Sequence, residues 1–280
     1  MERACFWSRA AVRLSVSNLG WGSSDPEQVR AILESHGISG VELAPTAVWP
    51  QAPSVDDGLL RGEREFWSRG GLAVSGVQSL LFGHPELRLF DVAAHDALHA
   101  HLTQMIRLAS ALGASRAVFG SPRNRLRGSL GTEAADELAT TFFQRLTPVL
   151  EAEEVVLTLE PNAKAYGADY LTDYESCLRL ARLVASEHVK AQIDTGCLAM
   201  ENVDPALAVR AHAPGHVHVS APNLLPPPGA VDHAQVNAAL RERGYSGWCT
   251  LEMLPGAQGR ELQVLESTVE WFIATYGEDA

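Results

Sequence analysis

Four apolar runs in the second half of the chain each carry, at or near their C-terminal end, a side chain able to bind a metal ion. VVLTLE closes on Glu160, VKAQID on Asp194 and WCTLE on Glu252, while HVHVS carries His218. Burying an acid at the end of a β-branched apolar run is costly unless the charge is paired or coordinated. Three carboxylates and one imidazole suit one divalent ion, with Mn²⁺ expected and Mg²⁺, Co²⁺ or Zn²⁺ compatible with the same donors.

Strand periodicity gives the four a shared direction, because side chains at i and i−2 point the same way. Two residues before each candidate ligand stand Thr158, Gln192, His216 and Thr250, all polar. The intervening Leu159, Ile193, Val217 and Leu251 are all apolar. The polar set is expected to form a hydrogen-bonding layer that orients the ligands, and the apolar set to face surrounding helices.

Strands that hold one such side chain each must end on a common side, which a parallel sheet provides. Strand-like runs at 12–18, 39–44, 72–82, 116–120, 155–160, 189–194, 216–220 and 248–253 alternate with helix-like segments near 26–37, 59–70, 92–113, 133–151, 173–187, 204–212, 233–243 and 259–275. Asp25-Pro26 and Asp204-Pro205 read as N-caps followed by proline at the first helical position. His36-Gly37, Leu112-Gly113 and Arg243-Gly244 read as helix ends leading straight into strands. Eight βα units predict a closed (β/α)8 barrel, one domain over residues 1–280. A doubly wound open sheet is the competing arrangement, but the first turn, SNLGWGSSDP, lacks the G-x-G-x-x-G of a dinucleotide site. In a barrel the C-terminal strand ends open onto the active site, where the four candidate ligands then converge.

Composition narrows the function classes. With 22 basic and 34 acidic residues the 280-residue chain carries a formal charge of −12, which disfavours a nucleic-acid partner. No apolar run reaches the roughly 18 residues of a membrane span, and the N-terminal MERACFWSRAAVRL lacks the apolar stretch of a secretory signal. Cys5, Cys177, Cys197 and Cys249 are scattered without a C-x-x-C pair, as expected for reduced thiols in a cytoplasmic protein. His95, His99 and His101 are expected on a solvated helix face.

Taken in order, GISGVELAPTAVW, ASRAVFGSPRNR, LEPNAKAYGADYLT, QIDTG, HVHVSAPN and GYSGWCTLEM resemble the sugar phosphate isomerase/epimerase family with the xylose-isomerase-like TIM-barrel fold. The resemblance to its ketose 3-epimerase branch implies one divalent metal on Glu160, Asp194, His218 and Glu252. It also implies Glu160 and Glu252 as the catalytic pair flanking the sugar, and a homodimer. The chemistry is physically coherent: a proton α to a carbonyl leaves only when a cation stabilises the developing enediolate, and two opposed carboxylates let one abstract and the other return it.

The chain departs from that branch at three sugar-contacting places. Cys197 stands where a histidine follows the strand-six aspartate, and Ala221 and Leu224 replace a glutamate and an arginine after the strand-seven histidine. Ala47 stands where close relatives carry lysine. Candidate substrate contacts are therefore His84, Arg123, Asn124, Lys164, Cys197 and Asn223, with Tyr166, Trp21, Trp49 and Trp248 as further cover or stacking surfaces. The basic stretch SPRNRLR at 121–127 is able to hold one small anion. The expected activity is epimerisation or isomerisation of a sugar or modified sugar. A dehydratase related to inosose dehydratase, a nuclease of the endonuclease IV type, and a non-catalytic carbohydrate-binding relative are the alternatives.

Overall fold

The computed structural model describes residues 12–278, so the expectations about the N-terminal stretch and Cys5 lie outside the described residues. Eight parallel strands close into a barrel in sequence order: β1 Arg13–Ser17, β2 Gly40–Leu43, β3 Ala73–Val77, β4 Arg116–Phe119, β5 Val156–Leu159, β6 Val189–Asp194, β7 His216–Val219 and β8 Trp248–Leu251. The ring closes where β1 pairs β8 from Arg13–Trp248 to Val16–Leu251. This is the (β/α)8 architecture that the alternating pattern predicts.

Local chemistry makes each unit. Asp25 accepts from the Glu27 amide and Asp204 from those of Ala206 and Leu207, capping Pro26–Ser35 and Pro205–Ala211. Gly37, Gly113 and Gly244 all take positive φ just after helices, the conformation that turns the chain into the next strand without a Cβ clash. Ile193, Val217 and Leu251 are fully buried with the apolar inner faces of the helices.

Two expectations about elements are corrected. The run 72–82 leaves the sheet after Val77, because Ser79 takes φ 57° and turns Leu80 and Leu81 down into the core. His95 and His101 are not merely solvated: their Nε2 atoms lie 2.7 and 2.8 Å from the carbonyl oxygens of Leu89 and Leu80. They tie the helix His95–Leu112 to the loop after β3.

Candidate metal centre

Glu160, Asp194, His218 and Glu252 meet at the C-terminal mouth of the barrel, each offering a ligand atom within 4.8 Å of the others. His218 Nδ1 lies 2.7 Å from Glu160 Oε1, 3.2 Å from Glu252 Oε2 and 3.9 Å from Asp194 Oδ2. All four are buried, yet Nδ1 makes no aligned hydrogen bond. A buried imidazole nitrogen without an aligned hydrogen bond, amid three acids, makes a donor set suited to a cation, so the residues fit one divalent metal.

The electrostatics follow from that crowding. Asp194 is pushed up to about 7, first by burial and then by Glu160 and Glu252. Burial also raises Glu252, against the lowering influence of His218. Burial opposes charge on His218, but Glu252, Glu42 and Glu160 hold it well above the ordinary imidazole range. The cluster thus draws positive charge to one point, whether carried by a proton or by a metal ion.

Beneath the cluster lies the polar layer read from strand parity. The Thr158 hydroxyl donates to Gln192 Oε1 at 2.6 Å, and Gln192 Nε2 donates to Glu160 Oε1 at 2.9 Å. Asp194 Oδ1 accepts from the Cys197 amide at 2.6 Å and from the Ser220 hydroxyl at 2.9 Å, leaving Oδ2 turned toward His218. Thr250 shares a 2.6 Å hydrogen bond with Ser15 and lies 3.4 Å from His216 Nε2.

Two supporting residues escaped the sequence reading. Glu42 on β2 is fully buried and accepts from His216 Nε2 at 2.7 Å and His218 Nε2 at 2.8 Å, one imidazole on each oxygen. Burial alone would raise its carboxyl, but the two imidazoles hold it far below the usual carboxylate range. Gly76 makes room for it, since a Cβ there would stand 2.9 Å from Glu42 Oε2. The signal was available: Glu42 is an acid inside the apolar run SGVELA, the same anomaly that marks Glu160. Arg125, also fully buried, donates to the Glu160 carbonyl at 2.7 Å and to Asn162 Oδ1 at 2.9 Å. Asn162 Nδ2 in turn lies 3.3 Å from Glu160 Oε2. No spacing rule separates Arg125 from its neighbours in SPRNRLR.

That basic stretch does not form one anion pocket. Arg125 goes inward, Arg127 binds the Asp169 carbonyl, and Asn124 spends its amide nitrogen on the His84 and Leu87 carbonyls, stapling the loops after β3 and β4 together. Of its cations only Arg123 is exposed, in a cavity of about 400 Å³ that it shares with His84 and the exposed Phe82. His84 pairs with Glu86 at 3.1 Å, and Lys164 with Glu201 at 2.8 Å on the surface.

Cys197 and Tyr166 sit nearer the ligands. The Cys197 thiol is buried, and burial together with Asp194 pushes it far up, so it stays protonated. Tyr166 is pushed up to about 12 by burial, with Cys197, Asp194 and Glu252 adding to the effect. Its hydroxyl accepts from the Asn223 amide at 2.8 Å, joining the loops after β5 and β7. The Asn223 side chain is not part of that contact. Of the tryptophans, Trp21 and Trp49 are buried, and Trp248 lies at the opposite end of the barrel under the Arg13 guanidinium, so it cannot stack on a ligand at the mouth.

Fold and site together define a (β/α)8 barrel with an acidic, histidine-bearing mouth, and comparison with known proteins agrees on the fold. Residues 30–274 match the family described as Xylose isomerase-like TIM barrel, and the chain belongs to that family. A D-psicose 3-epimerase of Enterocloster bolteae is 30% identical over 137 residues; the match spans 47% of this chain and 45% of that protein, so about half of each. Among solved structures, D-psicose 3-epimerase from Clostridium cellulolyticum H10 with D-tagatose superposes with a TM-score of 0.77 at 16% identity, covering 95% of this chain and 100% of that one. The IOLI protein with a bound zinc atom gives 0.72 at 15% identity, covering 95% and 99%. At such identities the superpositions speak for the fold. Among the described residues no helix is long and apolar enough to cross a membrane.

Proposed function

We propose that this chain is a divalent-metal-dependent epimerase or isomerase acting on a sugar or modified sugar by proton transfer between two glutamates. The observation that carries the reading is the convergence of Glu160, Asp194, His218 and Glu252 around one orphaned imidazole nitrogen. The half-length likeness to a ketose 3-epimerase supports the substrate class.

Glu160, Asp194, His218 and Glu252 would hold the ion, and the ion when bound supplies Lewis-acid stabilisation of the charge that develops on the substrate oxygens. The chain's own side chains do the rest. Glu160 follows β5 and Glu252 follows β8, three strands apart round the ring of eight, so they reach a substrate at the mouth from different sides. One abstracts the proton α to the carbonyl and the other returns a proton, inverting the carbon. Gln192 and Asn162 keep the Glu160 carboxylate aimed, and the Ser220 hydroxyl with the Cys197 amide does so for Asp194. Tyr166 and Asn223, bridging two loops beside the site, would help exclude water from it.

Cys197 and Ala221, both buried at the mouth, and Leu224 leave fewer polar contacts than a free ketohexose would use, which favours a modified sugar. His84 and Arg123 are proposed to meet its outer part. The buried free thiols of Cys177, Cys197 and Cys249 accord with a cytoplasmic setting.

The test is deuterium uptake by mass spectrometry, in D₂O with Mn²⁺, over a panel of ketoses, sugar phosphates and inososes, beside an EDTA-treated sample. Metal-dependent incorporation of one deuteron at unchanged composition is expected. Loss of one water would establish the dehydratase instead, and no turnover by metal-loaded protein would overturn the catalytic reading.

A further inference from the structure

A cavity of about 900 Å³ opens at the end of the barrel opposite the candidate metal centre, among the strand N-termini. Its wall carries five cations on a chain whose formal charge is −12: Arg13 opening β1, Arg116 opening β4, Lys190 on β6, Arg182, and Arg243. Glu187 is the one acid among the residues that line it. That acid is already taken, lying 2.7 Å from Lys190 Nζ.

The four guanidinium groups have no carboxylate within salt-bridge distance among the described residues. Arg116 gives Nε to the Gly215 carbonyl at 3.2 Å and one terminal nitrogen to the Ser115 carbonyl at 2.9 Å. Its other terminal nitrogen is uncommitted among those residues. Among the described residues Arg182 reaches only His212, at 3.2 Å, and Arg13 lies 4.4 Å from the Trp248 ring centroid. Burial holds the Arg116 guanidinium below its ordinary range; Tyr245 opposes that, and the nearby Arg13 adds to it, as a like charge does.

Four unneutralised cations round one concavity repel one another, and low-dielectric walls concentrate their field in the cavity. An anion entering there relieves the repulsion and meets planar N–H donors. Guanidinium forks match phosphate oxygens in geometry and are less costly to dehydrate than ammonium groups. The volume falls within the roughly 300–1,000 Å³ of small-molecule sites and exceeds the needs of one bare oxyanion. The Tyr245 hydroxyl is spent on the Trp248 carbonyl at 2.8 Å, so the recognition offered is mainly cationic.

We propose that this cavity is a second binding site, separate from the candidate metal centre, that takes a phosphoryl group, free or carried by a small metabolite. It does not depend on the function proposed for the other end of the barrel.

Titration calorimetry of the full chain tests it, after EDTA treatment and at constant ionic strength, with orthophosphate in one arm and glycerol 3-phosphate in the other. Saturable binding is expected in at least one arm. Tighter binding of glycerol 3-phosphate would identify a carried phosphoryl group, and equal or tighter binding of orthophosphate a free one. Arg13→Gln and Arg243→Gln, both at exposed positions, should together weaken the tighter interaction by about tenfold or more, the scale of lost charge-assisted hydrogen bonds. The single variant Arg243→Gln should show part of that loss and guards against misfolding of the pair. Absence of saturable heat in both arms, or a folded double variant that binds as the parent does, overturns the proposal.

Discussion

Glu42 Oε1 lies 2.8 Å from His218 Nε2, so a carboxylate on β2 holds a proton on that nitrogen of a β7 imidazole. A carboxylate only accepts, hence Nε2 donates and Nδ1 is turned to the acids at the barrel mouth. Replacing Glu42 by Gln keeps the shape but removes the charge that holds this arrangement. Divalent-metal affinity should fall about 10- to 100-fold, the usual cost of losing such a partner. Competition with a metallochromic chelator measures it, and affinity equal to the parent's would show that Glu42 does not orient the ligand.

On the proposed mechanism, Glu160→Gln and Glu252→Gln each remove one proton carrier. Substrate-dependent deuterium incorporation should drop by about a hundredfold or more in either variant, the scale of lost general acid–base catalysis. Full activity in one of them would exclude the two-glutamate mechanism. Asp194→Asn and His218→Ala should instead lower the metal content measured by elemental analysis.

Gly120 follows β4 and faces the Glu160 carboxylate so closely that a Cβ added there would collide with Oε2. Gly120→Ala should therefore push Glu160 off its position between Gln192 and His218. Turnover and metal affinity should both fall, while the far-ultraviolet spectrum of the barrel stays unchanged. Normal turnover would mean that Glu160 has room to move without consequence.

His233 predicts a pH effect remote from the mouth. Its ring is buried with Nδ1 2.8 Å from the Tyr276 hydroxyl, and burial pushes it down from 6.5 to about 4. Between those values the unfolded chain binds the proton more readily than the folded one. This residue therefore costs stability progressively as pH falls from 6.5 toward 4, by on the order of a few kcal/mol in all. Below that window both states are protonated and its contribution stops changing. Urea titrations at pH 7 and pH 4.5 should show a smaller acid loss in His233→Gln than in the parent; equal losses would remove His233 from the account.

How much of the site could be read in advance depended on whether the signal was local. Glu160, Asp194, His218 and Glu252 each end or nearly end an apolar run, and strand alternation puts Thr158 and Gln192 on the same side, so one dimension sufficed. Asn124 and Arg125 are neighbours in SPRNRLR with no periodic rule to part them, yet one amide staples two loops and one guanidinium lies under Glu160. Trp248, expected as a stacking surface for a ligand, opens β8 and so stands at the other end of the barrel, because which end of a strand a residue occupies depends on the strand's exact bounds.

The eightfold alternation, the closed parallel sheet and the four side chains at its mouth follow from residue order alone. Capping, turn glycines and strand parity act over a few residues and are written in their order. Folding in three dimensions is what lets Glu42 grip His218, 176 residues away, and gathers cations from Arg13 to Arg243 round one cavity. Those relations arise when the barrel closes β1 onto β8 and brings remote segments within a few ångströms, a distance that sequence separation does not encode.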